Sequence, residues 1–175
     1  MDALNHFETR TTFRLIRLEY AAGLAGAFYL LFTHLEAVDW WAFVVLFVYI
    51  DVVGYLPGAL AYRRSATKEI PRVYYVLYNT MHSLVTQGAV ALVWALAGGP
   101  LWSLLALPIH LFGDRALFGN FLKPFGLKFE PSVHPDFATL QRSVEDTAAR
   151  PSASAAGATG TASRPAAEIE RPLAS

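Results

Sequence analysis

The chain has 175 residues, with 14 Lys and Arg against 14 Asp and Glu, five His and no Cys. Zero net charge removes the electrostatic case for a nucleic-acid ligand. The lack of Cys removes disulfide frameworks, thiol nucleophiles and cysteine metal sites. Charged residues are 16% of the chain and hydrophobic residues 54%, where a soluble domain carries about 25% charged residues; the balance points to a membrane protein.

Tyr20 to Thr33 carries no charge. With Leu15, Ile16 and Leu18 it makes an apolar segment of about 20 residues, enough to cross a bilayer. It follows Glu8 and Glu19 and runs into His34-Leu35-Glu36 with no small-residue cleavage site, so it is expected to stay as a first helix, about 14–34, behind an N-terminal segment 1–13. Trp40 to Tyr62 has one charge, Asp51, and predicts a second helix over 40–62. Val73 to Gly113 has no Lys, Arg, Asp or Glu, and Gly98-Gly99-Pro100 divides it. That triplet ends one helix and starts the next, predicting a third helix over 73–97 and a fourth over 101–122. Pro57 and Pro108 cannot donate to Val53 and Leu104, so each predicts a kink or a local polar partner. The stretches Ala21–Phe32, Trp41–Ile50 and Ala89–Ala97 are apolar all round, unlike the helices of a soluble bundle. The expected fold is all-α, a four-helix transmembrane bundle.

Arg10, Arg14 and Arg17 precede the first helix; Arg63, Arg64, Lys68 and Arg72 join the second to the third; Arg115, Lys123 and Lys128 lie in or after the end of the fourth. The opposite loops hold no Lys or Arg, which predicts both termini in the cytoplasm. Trp40, Trp41 and Trp102 fall at the outer boundary, where indoles prefer to sit. Beyond the bundle, 123–146 reads as a loop and a short amphipathic helix, with Phe137, Leu140 and Val144 in helical spacing. Residues 147–175 contain only Ile169 and Leu173 as large apolar side chains, and a disordered tail is expected.

An ionisable group at membrane depth costs about 2.5–3.5 kcal/mol and should face a partner inside the bundle. Counted along the helices from the nearest basic residue, Asp51 lies about 18 Å deep, His82 about 15 Å, His110 about 20 Å and Asp114 about 14 Å. They fall in one slab near the bilayer centre; Glu19 is shallower, beside Arg14 and Arg17. Tyr75, Asn79, His82 and Thr86 share one face of the third helix, and Ser103, Leu107, His110 and Asp114 share one face of the fourth. Asp51 and Tyr55 are one turn apart, and Gly54 with Gly58 forms a small-xxx-small pair that admits a neighbouring backbone; Gly23 and Ala27 repeat that spacing on the first helix. The candidate catalytic groups are Asp51, His82, His110 and Asp114. The same four are candidate ligands of one divalent metal ion, Zn, Mn or Fe, because a His and an Asp one turn apart suit a shared ion and the other two would complete an N/O site. Alternatively a carboxylate fixes the tautomer of a neighbouring His, giving a metal-free acid–base pair. Asn79 and Tyr78 are expected to orient His82 or to make helix–helix hydrogen bonds.

The segments Arg17-Leu18-Glu19, Asp51-Val-Val-Gly54-Tyr55-Leu56, Tyr78-Asn79-Thr-Met-His82 and His110-Leu-Phe-Gly113-Asp114-Arg115 resemble a family of small bacterial integral-membrane proteins described as a domain of unknown function. The resemblance covers about residues 14–130. It implies the four-helix membrane fold and a bacterial plasma membrane, and it picks out Glu19, Asn79, His82, His110, Asp114 and Arg115 along with Asp51. It supplies no activity. The chain departs from the family pattern in four places: Asp51 stands closer to Gly54, Gly113 directly precedes Asp114, the segment from Gly119 through Lys128 is longer, and the loop between the second and third helices is extended by Arg63–Arg72.

Three functions are compatible with these residues. The first is a membrane-embedded enzyme acting on a lipid or isoprenoid-like substrate, with Arg115, Asn79, Glu19 and Tyr55 as substrate-binding groups. The second is a non-enzymatic accessory subunit of a larger complex, its polar groups forming an interhelical network and a sealed interior. The third is a proton or ion pathway, which four short helices would form only as an oligomer. Partners are the lipid bilayer and a lipid-like substrate, with no nucleic acid.

Overall fold

The computed structural model describes residues 8–132 and 135–149. Among these the chain is helical and contains no strand. It forms two compact units, residues 1–132 and 133–175.

In the first unit, α1 (Arg10–Thr33) starts four residues earlier than expected, because the Thr9 side chain accepts from Thr12 N and caps it. A 3₁₀ turn (Leu35–Ala37) leads to α2 (Trp40–Gly54), capped by Asp39 accepting from Ala42 N at 2.9 Å. Next, α3 (Leu56–Arg64) continues the same stretch, with Pro57 in its first turn, where no N–H is called for. Three stretches are long and apolar enough to cross a membrane: Arg10–Thr33, Trp40–Arg64 and Leu101–Phe118.

The expected third helix over 73–97 is not continuous. It is α4 (Arg72–Met81) and α5 (Leu84–Leu96), broken at His82 and Ser83. Ser83 adopts an extended backbone and its hydroxyl accepts from Thr86 N, a helix start inside an apolar run. The break frees the carbonyls of Met81 and His82, and in hydrocarbon each must find a donor. Gln87 Nε2 donates to Met81 O at 2.6 Å, and Arg115 Nη2 donates to His82 O at 3.1 Å. Gln87 Oε1 in turn accepts from the Tyr49 hydroxyl on α2.

The fourth stretch is a 3₁₀ segment (Leu101–Leu105), α6 (Ala106–Gly113) and a π-helical turn (Asp114–Phe118). Pro108 falls in the first turn of α6, which is why the helix tightens before it rather than kinking around it. The stretch ends at Phe118, four residues short of the expected end at 122, and Gly119 caps it in the left-handed conformation, φ 70°. A Cβ on Gly119 would lie 3.1 Å from the Phe13 ring of α1, and Arg17 donates to the carbonyls of Ala116 and Leu117. The Arg-bearing start of α1 therefore lies beside the end of the fourth stretch. At the other end His34 stacks on Trp102, ring centres 3.5 Å apart, and Ser103 donates to Asp39 O.

The outer surface is apolar: Trp41 and Val85 are each 83% exposed and Leu96 79%. The interior holds His82, Gln87, Ser103, His110 and Arg115. This inverts the pattern of a soluble bundle and fits a lipid-facing exterior.

In the second unit, α7 (Pro135–Ala149) is the expected amphipathic helix, reaching three residues past 146. Residues 1–7 of the N-terminal segment and 150–175 of the tail lie outside the described residues.

Gln87→Leu removes the donor to Met81 O and the acceptor of the Tyr49 hydroxyl together. It is expected to destabilise the folded protein in micelles by about 1–3 kcal/mol, read from its unfolding midpoint; an unchanged midpoint would show that the break needs no donor.

Candidate functional site

The break between α4 and α5 leaves His82 as the residue that caps the end of α4, and three further elements bring their polar groups to it. Gly54 on α2 faces this point: a Cβ there would lie 2.7 Å from Met81 Cβ and 3.3 Å from His82 Cε1. Only a glycine lets α4 approach so closely, and the approach sets His82 against Asp51. From the fourth stretch come His110 and Asp114, one turn apart as their spacing requires.

The four candidate groups converge. His82 Nε2 lies 3.3 Å from Asp51 Oδ1 and 3.4 Å from Asp114 Oδ2. His110 Nε2 lies 3.7 Å from each of the same two oxygens. Asp51, His82 and His110 each offer one ligand atom, all within 4.8 Å of one another, and these three could hold a metal ion. Both imidazoles are buried, while the Asp51 side chain is 51% exposed.

The tautomer of His82 follows from its neighbours. Nδ1 is 3.0 Å from Tyr78 O; a carbonyl only accepts, so Nδ1 carries the proton and donates it. That leaves Nε2 facing the carboxylates, with a lone pair when the ring is neutral and a second N–H when it is charged. The Tyr78 ring stacks on the imidazole with centres 3.9 Å apart and planes at 12°. Tyr78 thus holds His82 by its carbonyl and by its ring. His110 packs edge-on to Phe47, and neither of its ring nitrogens has a hydrogen-bond partner among the described residues. A buried imidazole with both nitrogens unpaired is costly, unless a cation or proton joins it to the nearby carboxylates.

A cavity of about 290 Å³ adjoins the cluster. Asp51, His82 and Asp114 line it, with the rings of Tyr55, Tyr78 and Phe118 and the polar groups of Asn120, Lys123 and Glu130. The last three belong to a segment after the fourth stretch, residues 119–132, that folds back over the bundle. Asn79 holds this segment at two points, donating to Lys123 O at 2.9 Å and accepting from Lys123 N at 2.7 Å. Tyr75 donates to Leu127 O at 2.6 Å. Phe129 is fully buried beside Tyr55, Tyr75 and Tyr78. Gly58 makes its seat, since a Cβ there would lie 2.5 Å from the Phe129 ring. Lys123 Nζ donates to Phe129 O at 2.6 Å and reaches Glu130 Oε1 at 3.3 Å, over the Phe129 and Tyr78 rings.

Of the expected substrate-binding residues, Tyr55 lines the cavity. The other three do not. Arg115 is buried and braces the backbone, donating to Tyr20 Oη and His82 O at 3.1 Å each, with its guanidinium over the Tyr20 ring. Asn79 is occupied by the folded-back segment. Glu19 is exposed on α1, because the helix phase that turns Tyr20 toward Arg115 turns its neighbour away. Sequence reasoning left Lys123, Asn120 and Glu130 outside the site; their one signal was the repeated aromatic residues Phe121, Phe125 and Phe129 in a loop that follows the last apolar helix.

No family model, curated protein or solved structure matches this chain.

Phe129→Ala should cost about 3–5 kcal/mol, and it should act on the folded-back segment first. Limited proteolysis is expected to cut within residues 119–132 faster than in the wild type while the helices persist; an unchanged cleavage rate would show that Phe129 does not hold the segment down.

Proposed function

We propose that this chain is a multi-pass protein of the bacterial plasma membrane, with four membrane-crossing segments, both termini cytoplasmic, and membership of the small four-helix family its motifs resemble. In this reading α4 and α5 together make the third crossing, a broken helix of the kind tolerated where freed backbone groups face protein. We further propose that it is a membrane-embedded enzyme whose centre is one divalent metal ion held by Asp51, His82 and His110, with Asp114 as the adjacent proton acceptor.

The separations between imidazole nitrogens and carboxylate oxygens carry this reading. At 3.3, 3.4, 3.7 and 3.7 Å they are too long for good hydrogen bonds, which lie near 2.7–3.2 Å. Ligands about 2.0–2.2 Å from a tetrahedral zinc ion are spaced about 3.3–3.6 Å from one another; among the three ligands His82 Nε2 and Asp51 Oδ1 have that spacing at 3.3 Å, and His110 Nε2 lies just outside it, 3.7 Å from Asp51 Oδ1. Three protein ligands with a further position open to a cavity is the pattern of a catalytic rather than a structural ion. Such an ion would polarise a substrate oxygen or lower the pKa of a bound water. The protein's own groups do the rest: Tyr78 holds the His82 tautomer, Asp114 accepts a proton, and Tyr55, Tyr78 and Phe118 offer an apolar wall. A lipid or isoprenoid-like substrate fits a cavity set among lipid-facing helices, where Val48, Val52 and Leu56 flank the half-exposed Asp51.

The accessory-subunit reading calls for a sealed interior with its polar groups paired off. The cavity beside the cluster and the unpaired nitrogens of His110 count against it.

Purified protein exposed to zinc and then freed of excess is expected to retain about one ion per chain by elemental analysis. His110→Ala and Asp51→Ala should lose it, while Asp114→Asn should keep it with weaker affinity, about 10–100-fold. Wild-type protein that retains no ion after exposure to zinc, manganese or iron would reject the metal centre and leave acid–base pairing of the same groups.

A further inference from the structure

A second cavity, of about 500 Å³, shares no residue with the first. Its charged lining is Lys68, Arg72 and Lys128 against one acid, Glu69. We infer that it binds the phosphodiester headgroup of an anionic phospholipid such as phosphatidylglycerol, held between the start of α4 and the folded-back segment 119–132.

The cations differ in what they already do. Lys68 sits at φ 60°, a strained conformation for a side-chain-bearing residue, and its ammonium reaches Tyr62 O and Arg63 O at the end of α3. Its charge is fixed beside the cavity. Arg72 and Lys128 are exposed and have no hydrogen-bond or ion-pair partner among the described residues. One comes from α4 and the other from the folded-back segment, so an anion between them would meet two donors that the fold leaves unspent. Tyr75 ties the two walls together through Leu127 O.

The surroundings favour a lipid over a free anion. The cavity lies at the end of the bundle where Arg10, Arg14, Arg17, Arg63 and Arg64 gather, which the membrane-spanning reading places at the bilayer surface. Ile70 and Leu127 line it. Val73 and Val76, one and four residues past Arg72 on α4, are 54% and 50% exposed and offer an apolar track for an acyl chain. A basic pocket between helices on this side, joined to a lipid-facing surface, is the arrangement that takes anionic headgroups.

The inference rests on the membrane-spanning reading, and the experiment separates the two. The full chain in neutral detergent is titrated with short-chain phosphatidylglycerol, phosphatidylcholine or inorganic phosphate while its thermal midpoint is followed. Phosphatidylglycerol is expected to raise the midpoint at concentrations where the other two do not. Arg72→Gln with Lys128→Gln should weaken that response about tenfold or more; both side chains are exposed and unpartnered, so the variant should keep the wild-type midpoint without lipid. Equal responses to the two lipids, a double variant that responds like the wild type, or a full response to inorganic phosphate alone would each overturn the inference. Flotation of both proteins with phosphatidylcholine vesicles at high salt tests the membrane reading by itself, since insertion there does not depend on the basic cavity.

Discussion

The requirement that governs this structure is that a helix broken among apolar side chains must find donors for the carbonyls it frees. Between Met81 and Leu84 the backbone leaves helical geometry, and two long polar side chains answer it. Gln87 reaches back to Met81 from the next helix, and Arg115 reaches His82 from the fourth stretch. An unsatisfied carbonyl there would cost several kcal/mol. Arg115 is therefore a structural brace, tied also to Tyr20, so that one guanidinium joins α1, α4 and the π-helical turn.

The break has a geometric consequence for the site. It ends α4 at Met81 with His82 as its cap, and the bare Gly54 lets that end come against α2 beside Asp51. The π-helical turn begins at Asp114, one turn after His110, where such turns often accompany functional groups. Each group is thus placed by a local departure from a regular helix. The result is a cluster of two imidazoles and two carboxylates whose nearest atoms can be reconciled only by a cation or shared protons among them.

Much of this was legible from the chain alone. The apolar runs and the missing charges identified the lipid-facing stretches, because hydrocarbon tolerates few charges and those few must pair. Helical rise placed Asp51, His82, His110 and Asp114 at one depth, and the structure brings them together. The break at His82–Ser83 was not read from the chain: Asn79, Thr80, His82 and Ser83 are weak helix formers, but no Gly or Pro marks a stop there, and the break depends on Ser83 capping and on donors far along the chain. The same holds for Arg115, which a count of charges cannot distinguish from a headgroup ligand. The role of residues 119–132 was hidden because Phe129 finds its seat on Gly58, 71 residues away in sequence, and no local pattern encodes that pairing.

The account stands on a cation shared by these buried groups, and diffraction would locate it most directly. Crystals grown with zinc and measured above and below the zinc absorption edge should show one anomalous peak about 2.0–2.2 Å from Nε2 of His82, Nε2 of His110 and an Asp51 oxygen. A clean map with no peak there, or a peak held by other side chains, would contradict it.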